Sequence, residues 1–351
     1  MPVHGPPIRG SSRNANDEPR TFGQTRSMHA AYIERLGSPD EIHFGELPDP
    51  RPGAADVLVA VLATTVNPVD TFVRSGLFRT PIVFPFVIGR DLAGRVLEAG
   101  PDTSGFTAGD LVWSNSLGHG GRQGAAAGLA VVPADRLYHL PPGVDLADAV
   151  AVVHPAATAH LALFTHGDLC AGETVLVAGG GGNVGGALIE MAVGAGARVI
   201  ATAAPRDFDR CRSIGADQVF DYHDPELAGH LRGAAPAGVD LHLDTSGTND
   251  LEQATGLLAP RGRIVLLAGA RSRPILPAGE LYMKDGAIRG FVISRAQPAE
   301  LADAATSINR LLGAGLLRPR AVDVEPLSAA AGVHRRLEEG ALRGRRTVLQ
   351  P

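Results

Sequence analysis

The chain has 351 residues, of which 44% are hydrophobic and 20% are charged. These proportions are typical of a folded globular protein and exclude an intrinsically disordered chain. The formal net charge is −5 and the basic residues are scattered, which argues against a nucleic-acid partner. The sequence contains no run of about 18 apolar residues, so we expect no membrane-spanning helix. Two cysteines are too few for a disulfide framework, so we expect a cytoplasmic protein. The length is more than one ordinary hydrophobic core needs, which predicts two domains.

The first half of the chain reads as a barrel-like domain of short strands. Residues 1–27 are rich in Pro, Gly, Ser, Asn and Arg and are expected to form a disordered tail. Short apolar runs punctuated by glycine and proline then predict β-strands. These runs occupy residues 55–66, 86–88, 92–97, 111–113 and 129–132. Two later strand-like segments, 321–326 and 347–349, are expected to return to this domain, with a helix around 333–337 between them.

The pattern changes at about residue 150, where buried strands begin to alternate with helices. Strands are predicted at 174–178, 198–202, 218–221, 239–244 and 263–268. Helical patterns cover 184–193 and 208–214 between them. This alternation predicts an α/β fold with a doubly wound parallel sheet. The predicted domains are therefore 28–150, completed by 311–351, and 151–310.

A glycine run directly after the first of these strands predicts a phosphate-binding loop. Residues 177–185 read VAGGGGNVG, in which Gly180, Gly182 and Gly185 satisfy the pattern G-x-G-x-x-G. Glycines there permit a tight turn and let backbone N–H groups approach a pyrophosphate at a helix N-terminus. Asn183 and Val184, within the loop, are predicted to contribute. The alternative interpretation is a flexible glycine turn without a ligand.

The end of the next strand bears on the choice of nicotinamide cofactor. An NAD site usually has an acid about 20 residues after the glycines, to hold the ribose 2′-hydroxyl. Residues 201–206 here read ATAAPR, with no acid before Asp207. Arg206 suits a 2′-phosphate, because a guanidinium pairs well with phosphate oxygens. The pattern favours NADPH over NADH, and the alternative is that Arg206 is a solvated surface residue.

Two blocks in the first domain resemble a known family. Residues 66–76 read VNPVDTFVRSG, close to a VNPVDxxxRxG block, and residues 86–94 read FVIGRDLAG, similar to PxxxGxDxAG. With the glycine loop, they make residues 28–350 resemble the zinc-independent quinone oxidoreductases, the zeta-crystallin-like branch of the medium-chain dehydrogenase/reductase family. The resemblance implies a GroES-like β-barrel, a Rossmann domain and a cofactor cleft between them. It also implies NADPH-dependent reduction of quinones or α,β-unsaturated carbonyls by a homodimer.

The resemblance also implies roles for individual residues. Asn67 would lie beside the nicotinamide, where it would orient the ring or donate to the substrate oxygen. Asp70 would brace the same loop, and Thr158 would face the nicotinamide ribose. Further cofactor contacts are implied for a set of later positions: Tyr222 at the 2′-phosphate, Ser246, Gly269, Ala270, Phe291 and Ile293 around the nicotinamide, and Arg346 closing over the cofactor.

The stretch 118–129 departs from the family pattern. It reads GHGGRQGAAAGL, and Gly128 stands where a glutamate is usual. Our hypothesis is that the lost bulk, at Ala126 for example, widens the substrate pocket. The alternative is neutral drift in a surface loop.

We expect no metal site. Zinc-dependent relatives have a cysteine and a histidine where this chain has Asn67 and Arg90. His154, His160 and His166 are spaced by six, which leaves consecutive members about 120° apart on a helix rather than on one face. Without a Lewis acid, hydride transfer to a quinone or enone is easier than to an isolated ketone, because the charge delocalises.

Other functions stay open at this point. The chain is also compatible with a tailoring enoyl reductase of a biosynthetic pathway, whose substrate would depend on pocket shape. A third possibility is a cofactor-binding protein with little turnover, acting as a redox sensor or structural protein, since a fold does not determine a function.

Overall fold

A computed structural model describes residues 26–342 and 344–351. The predicted tail, residues 1–27, therefore falls outside the described residues except for Arg26 and Ser27, where the first strand starts. In chain order the strands are β1 (Ser27–Ile33), β2 (His43–Pro48), β3 (Asp56–Thr65), β4 (Phe86–Val87), β5 (Asp91–Ala99), β6 (Leu111–Ser114), β7 (Leu129–Pro133), β8 (Tyr138–His139), β9 (Thr174–Ala178), β10 (Arg198–Ala203), β11 (Gln218–Asp221), β12 (Val239–Asp244), β13 (Leu258–Leu266), β14 (Ala287–Gly290), β15 (Val322–Pro326) and β16 (Arg346–Gln350).

The helices connect these strands and cover their faces. They are α1 (Pro68–Ser75), α2 (Leu146–His160), α3 (Asn183–Gly194), α4 (Phe208–Ser213), α5 (Leu227–Ala234), α6 (Leu251–Leu257), α7 (Ala278–Met283), α8 (Pro298–Gly313) and α9 (Ala330–Glu338). A π-helical turn, Leu161–Thr165, continues α2.

The first domain is built from mostly antiparallel strands. Its larger sheet has the order β15-β16-β3-β5-β6-β8, with β7 also paired to β3, and a smaller sheet has the order β2-β1-β4. The C-terminal strand β16 pairs antiparallel with β3, so the end of the chain completes the sheet that the early strands begin. Alternating burial along β3 follows from this arrangement, because one face of the strand packs on the core.

The second domain contains a six-stranded parallel sheet. Its order is β11-β10-β9-β12-β13-β14, so the chain starts at β9, in the middle, and winds outward in both directions. The carboxyl ends of β9, β10 and β12 therefore meet at one edge, where the strand order reverses. A crevice at this point is where open α/β sheets bind their ligands. The predicted doubly wound parallel sheet is confirmed.

Helix α2 lies between the two sheets. It packs against β3, β5 and β16 on one side and against α3 and α8 on the other. The segment Leu146–Thr165 is long and apolar enough to cross a membrane by length and composition, but 83% of its apolar 18-residue window is buried inside the protein. Packing between two domains accounts for its apolar character. The predicted boundary at residues 150/151 falls inside this helix.

A single tryptophan joins the two domains. The side chain of Trp113, on β6, is fully buried in a cluster that includes Ala63 and Ala93 of the first domain and Leu301 of α8. Its indole Nε1–H donates to Asn309 Oδ1 on α8 at 2.9 Å. The amide of Asn309 in turn donates to the His139 carbonyl at 3.0 Å. A polar contact within an apolar cluster of this kind defines how α8 lies against β6.

Replacing this tryptophan tests the contact between the domains. Trp113→Phe removes the hydrogen bond and leaves a void, so we expect unfolding free energy to fall by about 2–4 kcal/mol in urea denaturation. Part of that loss should vanish when Asn309 is already alanine, because the two side chains interact. Strictly additive effects of Trp113→Phe and Asn309→Ala would show that the hydrogen bond contributes nothing.

Candidate active site

The glycine run forms the turn between β9 and α3, but its geometry differs in one respect from the predicted pattern. Gly179 has a φ of +89°, and its carbonyl accepts from the Gly182 N–H at 3.1 Å. A Cβ on Gly185 would lie 2.1 Å from the same carbonyl oxygen. The turn therefore requires glycine at Gly179 and Gly185, while Gly182 contributes its backbone N–H. Sequence reasoning missed Gly179 because, within four successive glycines, several patterns fit equally well.

Gly180 is required by close packing rather than by the conformation of the turn. It is buried, and a Cβ there would lie 3.0 Å from both Ala201 and Ile189. Gly182 is the N-cap of α3, and a Cβ on it would meet only the Gly179 carbonyl, at 3.4 Å. The first turn of a twelve-residue helix therefore presents its N–H groups beside a side-chain-free loop. These residues fit a dinucleotide pyrophosphate.

Arg206 and Tyr222 lie at the same edge of the parallel sheet. β10 and β11 are parallel neighbours, with Ala203 opposite Asp221, and both residues follow shortly after these strand ends. The Arg206 side chain is 67% exposed and Tyr222 is 46% exposed. Both are free to reach a ligand that lies over the edge.

A buried polar cluster surrounds Asn67, the N-cap of α1. The Asn67 amide donates from Nδ2 to Asp91 Oδ2 at 2.7 Å, and its Oδ1 accepts from Arg346 Nη2 at 2.7 Å. His154 Nδ1 lies 3.1 Å from Asp91 Oδ1. Because a carboxylate only accepts, this ring nitrogen carries the hydrogen. The Asn67 amide keeps one N–H for a ligand.

Arg346 was predicted to close over the cofactor. In the structure it is buried and donates to Asn67 and, at 3.3 Å, to the Val66 carbonyl. Its guanidinium therefore supports the cluster around Asn67. Arg346 and Asn183 nevertheless border one cavity of about 220 Å³, together with Val66 and Pro68. The start of α3 and the turn before α1 thus face one space between the domains.

Asp70 braces the turn that carries Asn67. Its Oδ2 accepts from the Asn67 backbone N–H at 2.7 Å, and the side chain is buried. Burial, together with the neighbouring Asp91 carboxylate, raises the pKa of Asp70 to about 6. A carboxyl group that is hard to ionise at this position makes the charge of the cluster dependent on pH.

Arg90 is a second buried arginine beside these carboxylates, and sequence reasoning assigned it no role in binding or catalysis. It immediately precedes β5, is 1% exposed, and its Nε and Nη1 have no hydrogen-bond partner among the described residues. Burial lowers the pKa of its guanidinium, while the charges of Asp70 and Asp91 raise it. An adjacent pair of charged residues, Arg90 and Asp91, inside a block of apolar residues and glycines was the available signal, since charged residues are rarely buried unless they are paired.

Thr158 lies on α2 one turn after His154. Its hydroxyl donates to the His154 carbonyl at 3.0 Å, so its hydrogen is used within the helix and its oxygen lone pairs are left for a ligand. Through His154 and Asp91, the predicted positions Thr158 and Asn67 belong to one connected network.

The loops after β12 and β13 press against each other. Asp244 Oδ1 accepts from the Ser246 N–H and hydroxyl, each at 2.7 Å, which fixes the first loop. A Cβ on Gly269 would lie 2.3 Å from the Gly247 carbonyl, so the second loop needs a glycine there. Ala270 follows and is exposed.

The last two predicted pocket residues occupy different environments. Phe291 stacks on His166 with ring centroids 4.5 Å apart. Ile293 is buried in the large core cluster, which gives it a packing contact besides any contact with a cofactor.

Two family models match this chain. One is described as an alcohol dehydrogenase GroES-like domain and covers residues 53–142; the other is described as a zinc-binding dehydrogenase and covers residues 183–310. A solved structure titled NAD-dependent alcohol dehydrogenase is 31% identical with a TM-score of 0.83, covering 92% of this chain and 100% of that chain. The chain belongs to the medium-chain dehydrogenase/reductase family.

Members named as quinone oxidoreductases are among its relatives. The quinone oxidoreductase of Sus scrofa is 29% identical over 302 residues, which is 85% of this chain and 90% of that protein. A mycobacterial structure described as complexed with NADPH is 28% identical with a TM-score of 0.79, covering 93% of this chain and 100% of that chain. The predicted GroES-like domain with a Rossmann-like domain is confirmed, and the protein is an oxidoreductase of this family.

Within the stretch 118–129, Ala126 lies in the core of the first domain. Ala126 is buried, its N–H donates to the Ile88 carbonyl at 2.9 Å, and its carbonyl accepts from the Ala31 N–H at 2.8 Å. The small residues there pack between β1 and β4. Ala126 therefore has a packing role in the core, and the hypothesis that the lost bulk widens the substrate pocket stays a prediction.

The donor set around Asn67 is unlike a zinc site, although one matching family model is described as zinc-binding. In the part of the chain that the structure describes, no group of three or more His, Cys, Asp or Glu side chains is arranged to hold a metal ion. Arg90 brings a positive charge to the same place, and guanidinium groups accept no hydrogen bonds and donate no lone pair.

The raised pKa of Asp70 predicts a specific pH dependence of stability. The native state retains the Asp70 proton to higher pH than the unfolded chain, so this contribution is present below the unfolded pKa and is lost as pH rises through about 6. Asp70→Asn keeps an acceptor for the Asn67 N–H but does not titrate. Between pH 4 and pH 7, the wild type should lose up to about 3 kcal/mol of unfolding free energy relative to this variant.

Urea denaturation at several pH values measures this difference. The exposed Asp102 provides a matched control, because Asp102→Asn makes the same chemical change at the surface and should retain the pH dependence of the wild type. Parallel stability curves for Asp70→Asn and wild type would contradict the prediction.

Proposed function

We propose that this protein is an NADPH-dependent, metal-independent reductase of quinones or α,β-unsaturated carbonyls. One observation carries the proposal: Asn183, at the start of α3, and Arg346, which donates to Asn67, border the same cavity, and the cluster around Asn67 contains fixed positive charge instead of a metal-ligand set. When bound, the reduced nicotinamide supplies a hydride. The named activity of the quinone oxidoreductase relatives supports the same reaction class.

The chain's own contribution is to hold the two reactants and stabilise the charge that develops. Hydride delivery leaves negative charge on the substrate oxygen, and preorganised donors in a dry site stabilise it strongly. Arg90 has two buried nitrogens without a partner among the described residues, and Asn67 keeps one amide N–H. Both lie beside Asp91. We assign the anion-stabilising role to Arg90 and the positioning role to Asn67.

Metal independence follows from the chemistry of these side chains. Zinc takes Cys, His, Asp or Glu ligands in a nearly tetrahedral arrangement. Asn67 and Arg90 offer an amide and a guanidinium, and the imidazole of His154 donates to Asp91. A fixed guanidinium suits an anion that delocalises, as in an enolate or a hydroquinone anion.

NADPH is the proposed cofactor because of the charge at the edge of the sheet. Arg206 and Tyr222 are exposed together beyond β10 and β11, where a dinucleotide bound to the loop would place its adenosine ribose. A guanidinium with a phenol hydroxyl can bind a 2′-phosphate through charge-assisted hydrogen bonds. One structural relative is described as an NADPH complex.

Absorbance at 340 nm tests the proposed reaction. NADPH and NADH should be compared with 1,4-benzoquinone, 9,10-phenanthrenequinone and a simple enone, with and without a chelator. We expect chelator-insensitive oxidation of NADPH, and Arg90→Gln should lower kcat about 100-fold. The dissociation constant of NADPH should change little, because the Arg90 side chain makes no hydrogen bond to the described residues of the phosphate loop.

Arg95→Gln is the matched control for Arg90→Gln. Arg95 lies on β5, the strand that Arg90 immediately precedes, is exposed, and donates to the Gly109 carbonyl at 2.8 Å. It should keep wild-type kcat. NADPH binding without turnover of any acceptor would contradict the proposed substrates and favour a dedicated biosynthetic substrate or a cofactor-binding protein with little turnover.

We further propose a homodimer in the cytoplasm. β14 is the edge strand of the parallel sheet, and exposed apolar side chains lie on the segment before it. These are Ile275, Leu276, Tyr282 and Met283, of which Tyr282 and Met283 are about four-fifths exposed. An open strand edge beside an apolar patch is a surface that proteins usually cover.

The proposed location in the cytoplasm rests on the cysteines. Both are free, which fits a reducing compartment.

A charge in this patch should prevent association of two copies. For the double variant Tyr282→Asp, Met283→Asp, light scattering coupled to size-exclusion chromatography is expected to give the mass of one chain, against two for the wild type. Leu316→Asp introduces a charge at another exposed apolar position and should leave the dimer intact. A wild-type mass of one chain would refute the proposed dimer.

A further inference from the structure

An acidic residue reaches the phosphate loop although it comes late in the sequence. The residues after β10 form a tight turn, Pro205–Asp207, closed by the Asp207 N–H donating to the Ala204 carbonyl at 2.8 Å. The turn directs the Asp207 side chain back toward the loop. A Cβ on Gly181 would lie 2.7 Å from Asp207 Oδ2, and only 7% of the Asp207 side chain is exposed. Its carboxylate therefore contacts the loop itself.

This position matters for the choice of cofactor. At the carboxyl end of the second strand of a Rossmann unit, an acid accepts a hydrogen bond from the ribose 2′-hydroxyl. The same charge repels a 2′-phosphate. Taken alone, Asp207 would favour NADH, against the preference expected from Arg206.

Arg320 changes the charge of this site from another part of the chain. It lies between α8 and β15, in the segment that returns to the first domain, and its Nη1 is 2.6 Å from Asp207 Oδ1. The same nitrogen lies 3.5 Å from the Gly181 carbonyl oxygen. On the other side of the carboxylate, Arg206 Nε is 3.7 Å from Asp207 Oδ2. Two arginines around one aspartate leave a net charge of +1 beside the loop.

The buried ion pair of Asp207 and Arg320 also carries a desolvation cost. Removing two charges from water costs several kcal/mol per ion, which their attraction repays only in good geometry. Both groups are largely buried, and both lie against Gly181, where a ligand's phosphate is expected. The arrangement holds a cation at the cofactor site and prevents the acid from acting alone.

We propose that Arg320 is a cofactor-specificity residue, which neutralises Asp207 and thereby admits the 2′-phosphate of NADPH at a site whose own acid favours NADH. The inference rests on the proposed binding of a nicotinamide dinucleotide. It adds that discrimination between the two cofactors depends on a contact between the returning segment and the phosphate loop.

Equilibrium binding tests this inference without turnover. Dissociation constants for NADPH and NADH are measured by nicotinamide fluorescence or calorimetry on the full chain. Arg320→Gln leaves only the more distant, exposed Arg206 beside Asp207 and lowers the net charge beside the loop from +1 to 0. NADPH should therefore bind about 10- to 100-fold more weakly while NADH changes less than about threefold. The double variant Asp207→Asn, Arg320→Gln should return the NADPH dissociation constant to within about threefold of wild type.

Arg318→Gln is the matched control. Arg318 lies in the same segment and donates to the Gly315 carbonyl at 2.9 Å instead of to the loop. Its substitution removes the same charge as Arg320→Gln. It should leave both dissociation constants unchanged. Thermal unfolding of each variant is recorded in parallel. A purely structural role for Arg320 would lower stability and weaken both dinucleotides alike.

The outcomes separate this inference from the proposed function. Equal weakening of NADPH and NADH by Arg320→Gln, or no effect on either, would overturn the specificity role while leaving dinucleotide binding in place. Failure of Asp207→Asn to restore NADPH binding in the double variant would also overturn it. A wild type that binds neither dinucleotide would overturn both this inference and the proposed cofactor.

Discussion

The carboxylate of Asp91 is the point on which the cleft between the domains depends. It is fully buried, and it accepts from Asn67 through one oxygen and from His154 through the other. A buried carboxylate is tolerated only when its oxygens are paired, since an unpaired one costs several kcal/mol. Satisfying it therefore requires the turn before α1, the start of β5 and the middle of α2 to occupy fixed relative positions. Arg346, from the last strand, attaches the C-terminus to the same group through Asn67.

The arrangement of α2 transmits this constraint to the cofactor loop. His154 ties the helix to the first domain, while the other side of α2 packs on α3, whose N-terminus carries the glycine turn. The position of the phosphate loop relative to Asn67 is therefore determined by one buried polar network and one helix–helix contact. Side chains distant in sequence act together here: Arg346 and Asn67 are 279 positions apart.

Much of the fold was accessible from the sequence because continuous apolar runs predict buried parallel strands directly. β9, β11 and β12 begin and end where the pattern placed them. β1 and β2 were missed, since β1 begins at the last residue of the predicted tail and β2 mixes polar and apolar residues. β13 begins five residues earlier than predicted, at Leu258, because its first residues include Pro260 and Arg261, which hide a strand pattern.

The site was less accessible, for reasons that are local and steric or long-range and electrostatic. The role of Gly179 depends on a positive φ that four successive glycines conceal. Asp207 follows the end of β10 by four residues, so the sequence pattern did not place it at the loop. The tight turn after β10 brings its carboxylate back to the loop. The burial of Ala126 and the partners of Arg346 depend on pairing between distant strands, which no local pattern encodes.

The charges in the cleft differ in kind between its two ends. At the phosphate loop, Asp207 is paired directly with Arg320 at 2.6 Å. A ligand phosphate would therefore contact a guanidinium whose charge Asp207 already partly neutralises. At Asn67, Arg90 has no such direct partner among the described residues, and the nearby carboxylates act on it at longer range. A paired cation discriminates between ligands through small differences in net charge, whereas an unpaired buried cation gains most from an anion that arrives or develops beside it. The first arrangement suits selective binding and the second suits catalysis, which is what the proposed reductase activity requires of the two ends of the cleft.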